Sequence, residues 1–507
     1  MPFDSYLLAN GEIYDGSGSE PFRGDVLIER ERIVAVGSVR APAAQRIDCG
    51  GLALAPGFID GHSHADLQVI EGRRDKLRQG VTTEVVGNCG FSPYPPARDP
   101  ALLREFANGI LCGEGEWGWP STRAYLEAAG RSATANVISL AGHGTLRVAV
   151  AGWRQGALEE SELRQMEALL EEAFAAGAAG LSTGLMYAPG SSAPFAEVER
   201  LCRIVARHEK IYTSHIRSYF RDLVPAVEEQ IELARRTGCR LQISHLQAVG
   251  AANWSEHPRA LEVIEKARAE GIDIAFDCYP YVAGSSVLTQ LLPQWVLDGG
   301  TEAMLARLTD RDQRRRITAE ITSGLPWRWR DVYISAVGSS RNRAAVGRTL
   351  AELAELRGRA AVEAMVDLLI EERGDVNMLS INQSEENLRL SLTHPLAIVI
   401  SDSFYVRGRP HPRVFGTFPL LLGTVSRNRA WLSLPEAVHK ITGGPAERFR
   451  IRDRGRIVPG AFADITAFDP TMVDSPGTYE QPDLPPVGIS FVLRNGRLVE
   501  GMLPEIR

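Results

Sequence analysis

Leu52-Ala53-Leu54-Ala55-Pro56-Gly57-Phe58-Ile59-Asp60-Gly61-His62-Ser63-His64 is an apolar run that passes through glycine into a His-x-His pair. Two histidines one residue apart on an extended segment project to the same side, because strand side chains alternate with period two. Neutral imidazole is a common metal ligand, so such a pair at a strand tip is half of a metal site. On a loop the same pair is an ordinary surface feature. The apolar segment in front favours the tip, since an apolar strand running into glycines is how a barrel strand presents its end.

The rest of the chain has room for such a barrel. Its 507 residues exceed one ordinary domain and suffice for a barrel of about 250 residues with additions. A hydrophobic content of 44% and a charged fraction of 23% are those of a soluble globular protein. No apolar stretch reaches the roughly 18 residues needed to cross a bilayer, so no membrane partner is expected. The formal net charge of −7 gives no reason to expect nucleic acid. The first residues lack the basic region and apolar core of a secretory signal. The six cysteines (49, 89, 112, 202, 239 and 278) have no paired spacing, which fits reduced thiols and a bacterial cytoplasmic location.

Residues 1–55 read as short strands with turn signals, with Asn10-Gly11 as a hairpin cue between Tyr6 to Ala9 and Glu12 to Tyr14. The last fifty residues look alike, with Asn495-Gly496 between two further strands. The expectation is one small β-sandwich assembled from both termini (1–55 and 451–507). Between them, at 56–450, apolar runs alternate with amphipathic helical stretches, the mark of βα units. Eight strands are expected: Ala53–Ile59, Thr82–Gly87, Asn136–Ala141, Ala179–Ser182, Ile211–Ser214, Arg240–Ser244, Asp273–Asp277 and Ala397–Ser401. Helical spacing marks Leu158–Ala176, Phe195–His208, Leu223–Arg236 and Pro258–Glu270. The fold class is α/β, a (β/α)8 TIM-type barrel. The seventh-to-eighth connection is too long for a loop and is read as an inserted subdomain near 286–358, followed by a barrel helix at Arg359–Glu372.

Barrel enzymes carry their chemistry on the C-terminal strand ends. The residues just past the expected strands are His62 and His64, then Asn88-Cys89-Gly90, His215, His245 and Asp402. The chain has only ten histidines, and four of them fall at these tips. Taken singly, Cys89 reads as a buried apolar thiol, His215 and His245 as satisfied polar residues, and Asp402 as a cap. Taken together around one mouth they read as a metal site. Cys, His and His leave a position open for water, the arrangement of a catalytic rather than a structural zinc.

Several segments resemble the D-aminoacylase (N-acyl-D-amino acid deacylase) branch of the amidohydrolase superfamily. They are Gly-Phe-Ile-Asp-Gly-His-Ser-His (57–64), Val-Thr-Thr-Glu-Val-Val-Gly-Asn-Cys-Gly-Phe-Ser-Pro (81–93), Gly-His-Gly-Thr-Leu-Arg (142–147), Leu-Ser-Thr-Gly-Leu-Met-Tyr-Ala-Pro-Gly (181–190), Ser-His-Ile-Arg-Ser (214–218) and His-Pro-Arg-Val-Phe-Gly-Thr-Phe-Pro (411–419). The closing Pro-Gly-Ala-Phe-Ala-Asp-Ile (459–465) is similar to a segment shared across the superfamily. The resemblance implies a tight zinc held by Cys89, His215 and His245. It places His62 and His64, with Asp402, at a second, weaker or vacant position. Many relatives in the superfamily bridge two metals with a carboxylated lysine at a strand end. None of the four lysines here (76, 210, 266 and 440) follows an expected strand, and Cys89 is the expected substitute.

The implied reaction is hydrolysis of the amide bond of an N-acyl-D-amino acid. Zinc lowers the pKa of bound water to about 7. Asp402 is assigned as general base and then acid, because a carboxylate beside the metal can do both in turn. His62, His64 or His143 would help hold the oxyanion. A guanidinium binds a carboxylate bidentately, and Arg413 sits where the resemblance requires one; Tyr279 and Ser285 match positions that hold the same carboxylate. Without the resemblance, Tyr279 reads as core, Arg413 as a surface residue and His143 as structural. Gln247 stands where relatives often have lysine, Tyr219 where they usually have glutamate, and Ser403 to Arg407 departs from the expected small-residue loop. The alternatives are a cyclic amidase or a carbamate or urea hydrolase on the same scaffold, and a non-catalytic assembly protein.

Overall fold

A computed structural model describes residues 5–97, 99–113, 118–324 and 328–504. Eight parallel strands form the barrel: Phe58–Asp60, Val81–Val86, Asn136–Gly142, Gly180–Gly184, Ile211–His215, Arg240–Ile243, Ile274–Cys278 and Ala397–Val399. They are taken below as strands one to eight. Neighbours pair in chain order. The seam between strands eight and one closes just beyond them, where Ser63 and Ser403 form a parallel bridge. There the Asp402 N–H donates to the His62 carbonyl at 2.9 Å, and the His64 N–H donates to that of Ser403 at 3.0 Å.

Helices follow where apolar spacing predicts them. Glu160–Ala176, Phe195–Arg207, Leu223–Thr237 and Glu256–Ala269 pack their buried faces on the barrel. The expected first strand is two. Ala53–Pro56 pairs with Ile465–Phe468 and with Ser5–Ile13 in the terminal sheet, whereas Phe58–Asp60 pairs with strand two. Gly57 is the crossing point: a Cβ there would lie 2.3 Å from Thr82 Oγ1. The Pro56-Gly57 dipeptide marks the crossing in the sequence, but apolar patterning on both sides reads as one strand.

The termini build one eight-stranded sheet enclosing a core that includes Tyr6, Leu8, Ile13, Ile28, Ile465 and Phe491. Asn10-Gly11 is not a hairpin. It is a bulge inside the continuous strand Ser5–Ile13, with Asn10 at φ 63°, the added twist that a bulge supplies. Asn495-Gly496, with φ 48° and 71°, does turn the chain between Ile489–Arg494 and Arg497–Gly501, the φ signs of a tight hairpin.

Between strands seven and eight lies a three-stranded antiparallel sheet of Ala283–Val287, Val332–Val337 and Val376–Ile381. The helix expected on the barrel at 359–372 forms as Ala361–Glu371. It packs with Leu288, Met304, Ile317 and Val332 in the insertion's own core, because helical periodicity shows that a face is buried but not against what. The insertion is therefore longer than 286–358. The helix preceding strand eight is Glu385–Thr393. All six cysteines are free, and no helix among the described residues is long and apolar enough to cross a membrane.

Below the barrel mouth the interior is polar. Lys76 is buried and donates to Asp60 and Ser401. Ser401 also donates its backbone N–H to Asp60 Oδ1 at 3.0 Å, locking strand eight to strand one. Glu84 accepts from Ser63 Oγ at 2.8 Å, and burial pushes its carboxyl up to about 7, Lys76 opposing. A carboxyl raised on folding binds more protons folded than unfolded, so stability falls as pH rises from the unfolded value of about 4.5 through 7. Glu84→Gln is expected to be more stable than the parent at pH 8 than at pH 5, by up to ~3 kcal/mol in relative terms. Thermal melts at the two pH values check this, and an equal difference at both contradicts it.

Candidate metal centre and catalytic cavity

Six side chains from five strand ends converge at the mouth. His62 and His64 follow strand one, Cys89 follows strand two, His215 ends strand five, His245 follows strand six and Asp402 follows strand eight. They form two groups sharing the thiol. Ligand atoms of His62, His64, Cys89 and Asp402 all lie within 4.8 Å of one another, as do those of Cys89, His215 and His245. The Cys89 Sγ is 3.3 Å from His62 Nε2 and 3.4 Å from His245 Nε2. Asp402 Oδ1 is 3.4 Å from Nε2 of both His62 and His64.

The backbone is bent to achieve this. Cys89, His245 and Asp402 sit at φ 51°, 33° and 49°, the left-handed region that non-glycine residues enter at a cost. All six side chains are buried.

Without a cation the cluster is poorly satisfied. Neither ring nitrogen of His215 has a hydrogen-bond partner, nor does Nδ1 of His64 or His245. Buried polar groups left unpaired are costly. Burial holds His215 well below the usual imidazole range, with His245 adding to the effect, and depresses His245 to about 4 and His64 below its usual value. These imidazoles are neutral ligands in waiting. Burial pushes the Cys89 thiol up to about 11 although His62 opposes this. A coordinating thiol is deprotonated outright. One thiolate and four imidazoles, buried and under-bonded, fit a zinc-like ion.

Asp402 is held well below the carboxylate range. Burial works against this, but Arg413 and the surrounding histidines outweigh it. Arg413 Nη1 is 2.8 Å from Asp402 Oδ2, and its guanidinium lies 4.8 Å from the Tyr279 ring centroid. The arginine is itself 1% exposed, and its Nε and Nη2 find no hydrogen-bond partner among the described residues.

The ligands open on a cavity of about 620 Å³ lined by His64, Cys89, His215, His245 and Asp402. It is also lined by the neutral polar side chains of Gln247, Tyr279, Ser285, Ser380 and Asn382. The Tyr279 hydroxyl donates to Gln247 Oε1 at 3.1 Å, and Ser285 Oγ to the Met378 carbonyl at 3.1 Å. Tyr219 and Tyr187 flank His215, with ring centroids 5.0 and 4.8 Å away. Tyr219 is fixed by its hydroxyl, which donates to the Ser244 carbonyl at 3.0 Å.

His143 does not join this group. It does not line the cavity; its Nε2 is 2.8 Å from Glu197 Oε1, in a buried network with Arg147. A histidine opening a helix directly after strand three reads in sequence like a mouth residue; the acidic partner on a later helix is what draws it away. Asp277, inside strand seven, went unnoticed in sequence because it precedes the strand end. Its Oδ1 accepts from the His245 N–H at 2.6 Å and lies 3.5 Å from His62 Nδ1, while Gln242 donates to Oδ2 at 3.0 Å.

A profile of the amidohydrolase family matches residues 45–500. The chain is 35% identical to an N-acyl-D-glutamate deacylase of Alcaligenes xylosoxydans xylosoxydans over 506 residues, which is 98% of this chain and 94% of the relative. It is equally 35% identical to a D-aminoacylase of the same organism, over 98% of this chain and 94% of that one. The crystal structure of the N-acyl-D-glutamate deacylase of Bordetella bronchiseptica, complexed with zinc and a phosphonate mimic of the tetrahedral intermediate, superposes with a TM-score of 0.84. Identity there is 33%, covering 99% of this chain and 97% of that one. With the fold and the whole length in agreement, the chain belongs to the amidohydrolase family, in its D-aminoacylase branch.

Proposed function

We infer that this protein is a zinc-dependent N-acyl-D-amino acid deacylase, which hydrolyses the amide bond and releases a D-amino acid and a carboxylate. The observation that carries the reading is the buried, under-bonded cluster built around the Cys89 thiol at the barrel mouth, in a chain of the D-aminoacylase branch. Cys89, His215 and His245 would hold the tight ion, and His62 and His64 with Cys89 a weaker one. Bound zinc supplies a Lewis acid that polarises the carbonyl and acidifies water.

The remaining work belongs to the chain. Asp402 stays ionised beside Arg413 and takes the proton of the attacking water, then delivers it to the departing nitrogen. Burial of the mouth keeps bulk water from competing for that proton. Tyr279, Ser285 and Gln247 offer neutral hydrogen bonds to the substrate carboxylate, while Arg413, paired with Asp402 and behind Tyr279 rather than in the cavity wall, adds positive charge. Asp277 orients His245 and His62, the role that outer partners of metal ligands play. The two relatives matched at 35% bear different substrate names, so the side-chain preference follows from the cavity and not from identity. Free, unpaired cysteines support a cytoplasmic location.

Assays of N-acetyl-D- and L-amino acids beside hydantoins and dihydropyrimidines test the substrate class. Turnover of the D-series is expected; turnover of the rings alone would replace the assignment with a cyclic amidase. Cys89→Ala is expected to purify without tight zinc by elemental analysis. Asp402→Asn should keep its zinc and lose about 10²- to 10⁴-fold in kcat; parental turnover would remove Asp402 from its role. Asp277→Ala should bind zinc about 10- to 100-fold more weakly in a chelator competition, whereas unchanged affinity makes Asp277 a purely structural residue.

A further inference from the structure

A second chamber, of about 740 Å³, adjoins the catalytic cavity. The two share Ile110, Met186, Tyr187 and Gln290 as common wall. On the barrel side the chamber is aromatic. Phe91, two residues past Cys89, stacks on Phe106 with centroids 4.6 Å apart and meets Tyr187 edge-on at 5.0 Å; Trp153 closes the far side of Phe106 at 6.1 Å. The insertion supplies the opposing wall, with Val287, Leu297 and Met304. The charged groups at the margin already have partners. Glu105 Oε1 accepts from the Thr301 N–H at 2.6 Å, and Arg373 pairs with Glu302.

None of Gln247, Tyr279, Ser285, Ser380 and Asn382 reaches this chamber; they line the catalytic cavity alone. An N-acyl-D-amino acid with its scissile bond at the cluster has three groups to place, the acyl chain on the carbonyl and the carboxylate and side chain on the α-carbon. With its carboxylate among these neutral polar side chains, its acyl group can enter the adjoining chamber beside Phe91. We propose that the aromatic chamber beside the catalytic cavity receives the acyl chain of the substrate, making this protein selective for long or aromatic apolar acyl groups. The proposal rests on the deacylase reading above and adds the substrate's acyl class to it.

Burying one methylene supports up to about fourfold in affinity. Zinc-loaded protein is therefore expected to hydrolyse N-octanoyl-D-alanine with a kcat/KM about tenfold or more above N-acetyl-D-alanine, with N-hexanoyl-D-alanine between them. Thr289→Trp fills the chamber from a half-buried wall position. It should remove the chain-length preference and leave N-acetyl-D-alanine turnover unchanged; Val287→Phe gives a second, milder filling should the first fold poorly. A flat chain-length series overturns the proposal. So does a Thr289→Trp defect confined to a side-chain series such as N-acetyl-D-phenylalanine, which would give the chamber to the amino-acid side chain. Calorimetric titration with acetate, hexanoate and octanoate reads the chamber without turnover. Length-dependent binding lost in Thr289→Trp upholds the apolar site even if no N-acyl-D-amino acid is hydrolysed, an outcome that removes the deacylase reading; length-independent binding overturns the chamber whatever is hydrolysed.

Discussion

Closure of the barrel between strands eight and one is the constraint on which the site depends. The seam is short, because strand one has three residues and strand eight has three. Its strength comes from side chains as much as from backbone: Asp60 accepts from Lys76 and from both the hydroxyl and the N–H of Ser401. Backbone bonds beyond the strand ends, from Asp402 to His62 and from His64 to Ser403, continue that seam upward. The same two bonds bring the carboxylate of Asp402 against both imidazoles of the His-x-His pair. Barrel closure and site assembly are thus one structural event.

The electrostatic consequence is a cluster whose buried polar groups are short of partners. Four histidines and a thiol have lost water, and burial pushes most of them toward their neutral forms. His62 is the exception: burial would depress it, but Cys89 and Asp277 raise it well above the usual range. A divalent cation would be held by the Cys89 thiolate and by the imidazole nitrogens that face it. The left-handed backbone at Cys89, His245 and Asp402 is strain of the kind that surrounding structure must hold in place.

The barrel and its mouth were legible because both rest on local signals. Apolar runs bounded by glycine fix the strands, and the residue after each run fixes what faces the mouth; His62, His64, Cys89, His215, His245 and Asp402 all follow from that rule. What depends on tertiary choice was not legible. The run 53–59 changes sheet at Gly57, where Pro56-Gly57 is the single local signal between two equally apolar halves. Ala361–Glu371 is equally amphipathic on a barrel or in an insertion. Asn10-Gly11 carries the same two residues as Asn495-Gly496, yet pairing with neighbouring strands makes one a bulge and the other a turn. His143 looked like its fellow histidines until Glu197 and Arg147 claimed it. Asp277 carries no local signal at all, since its importance lies in three partners from other strand ends, the His245 N–H, His62 and Gln242.

The central claim is that one thiolate and imidazoles from separate strands hold a single tight zinc. X-ray absorption at the zinc edge of the protein loaded with one equivalent measures this directly. The expected shell has one sulfur at about 2.3 Å and nitrogen or oxygen ligands at about 2.0–2.1 Å, with the sulfur gone in Cys89→Ser. A shell of nitrogen and oxygen alone in the parent protein contradicts it.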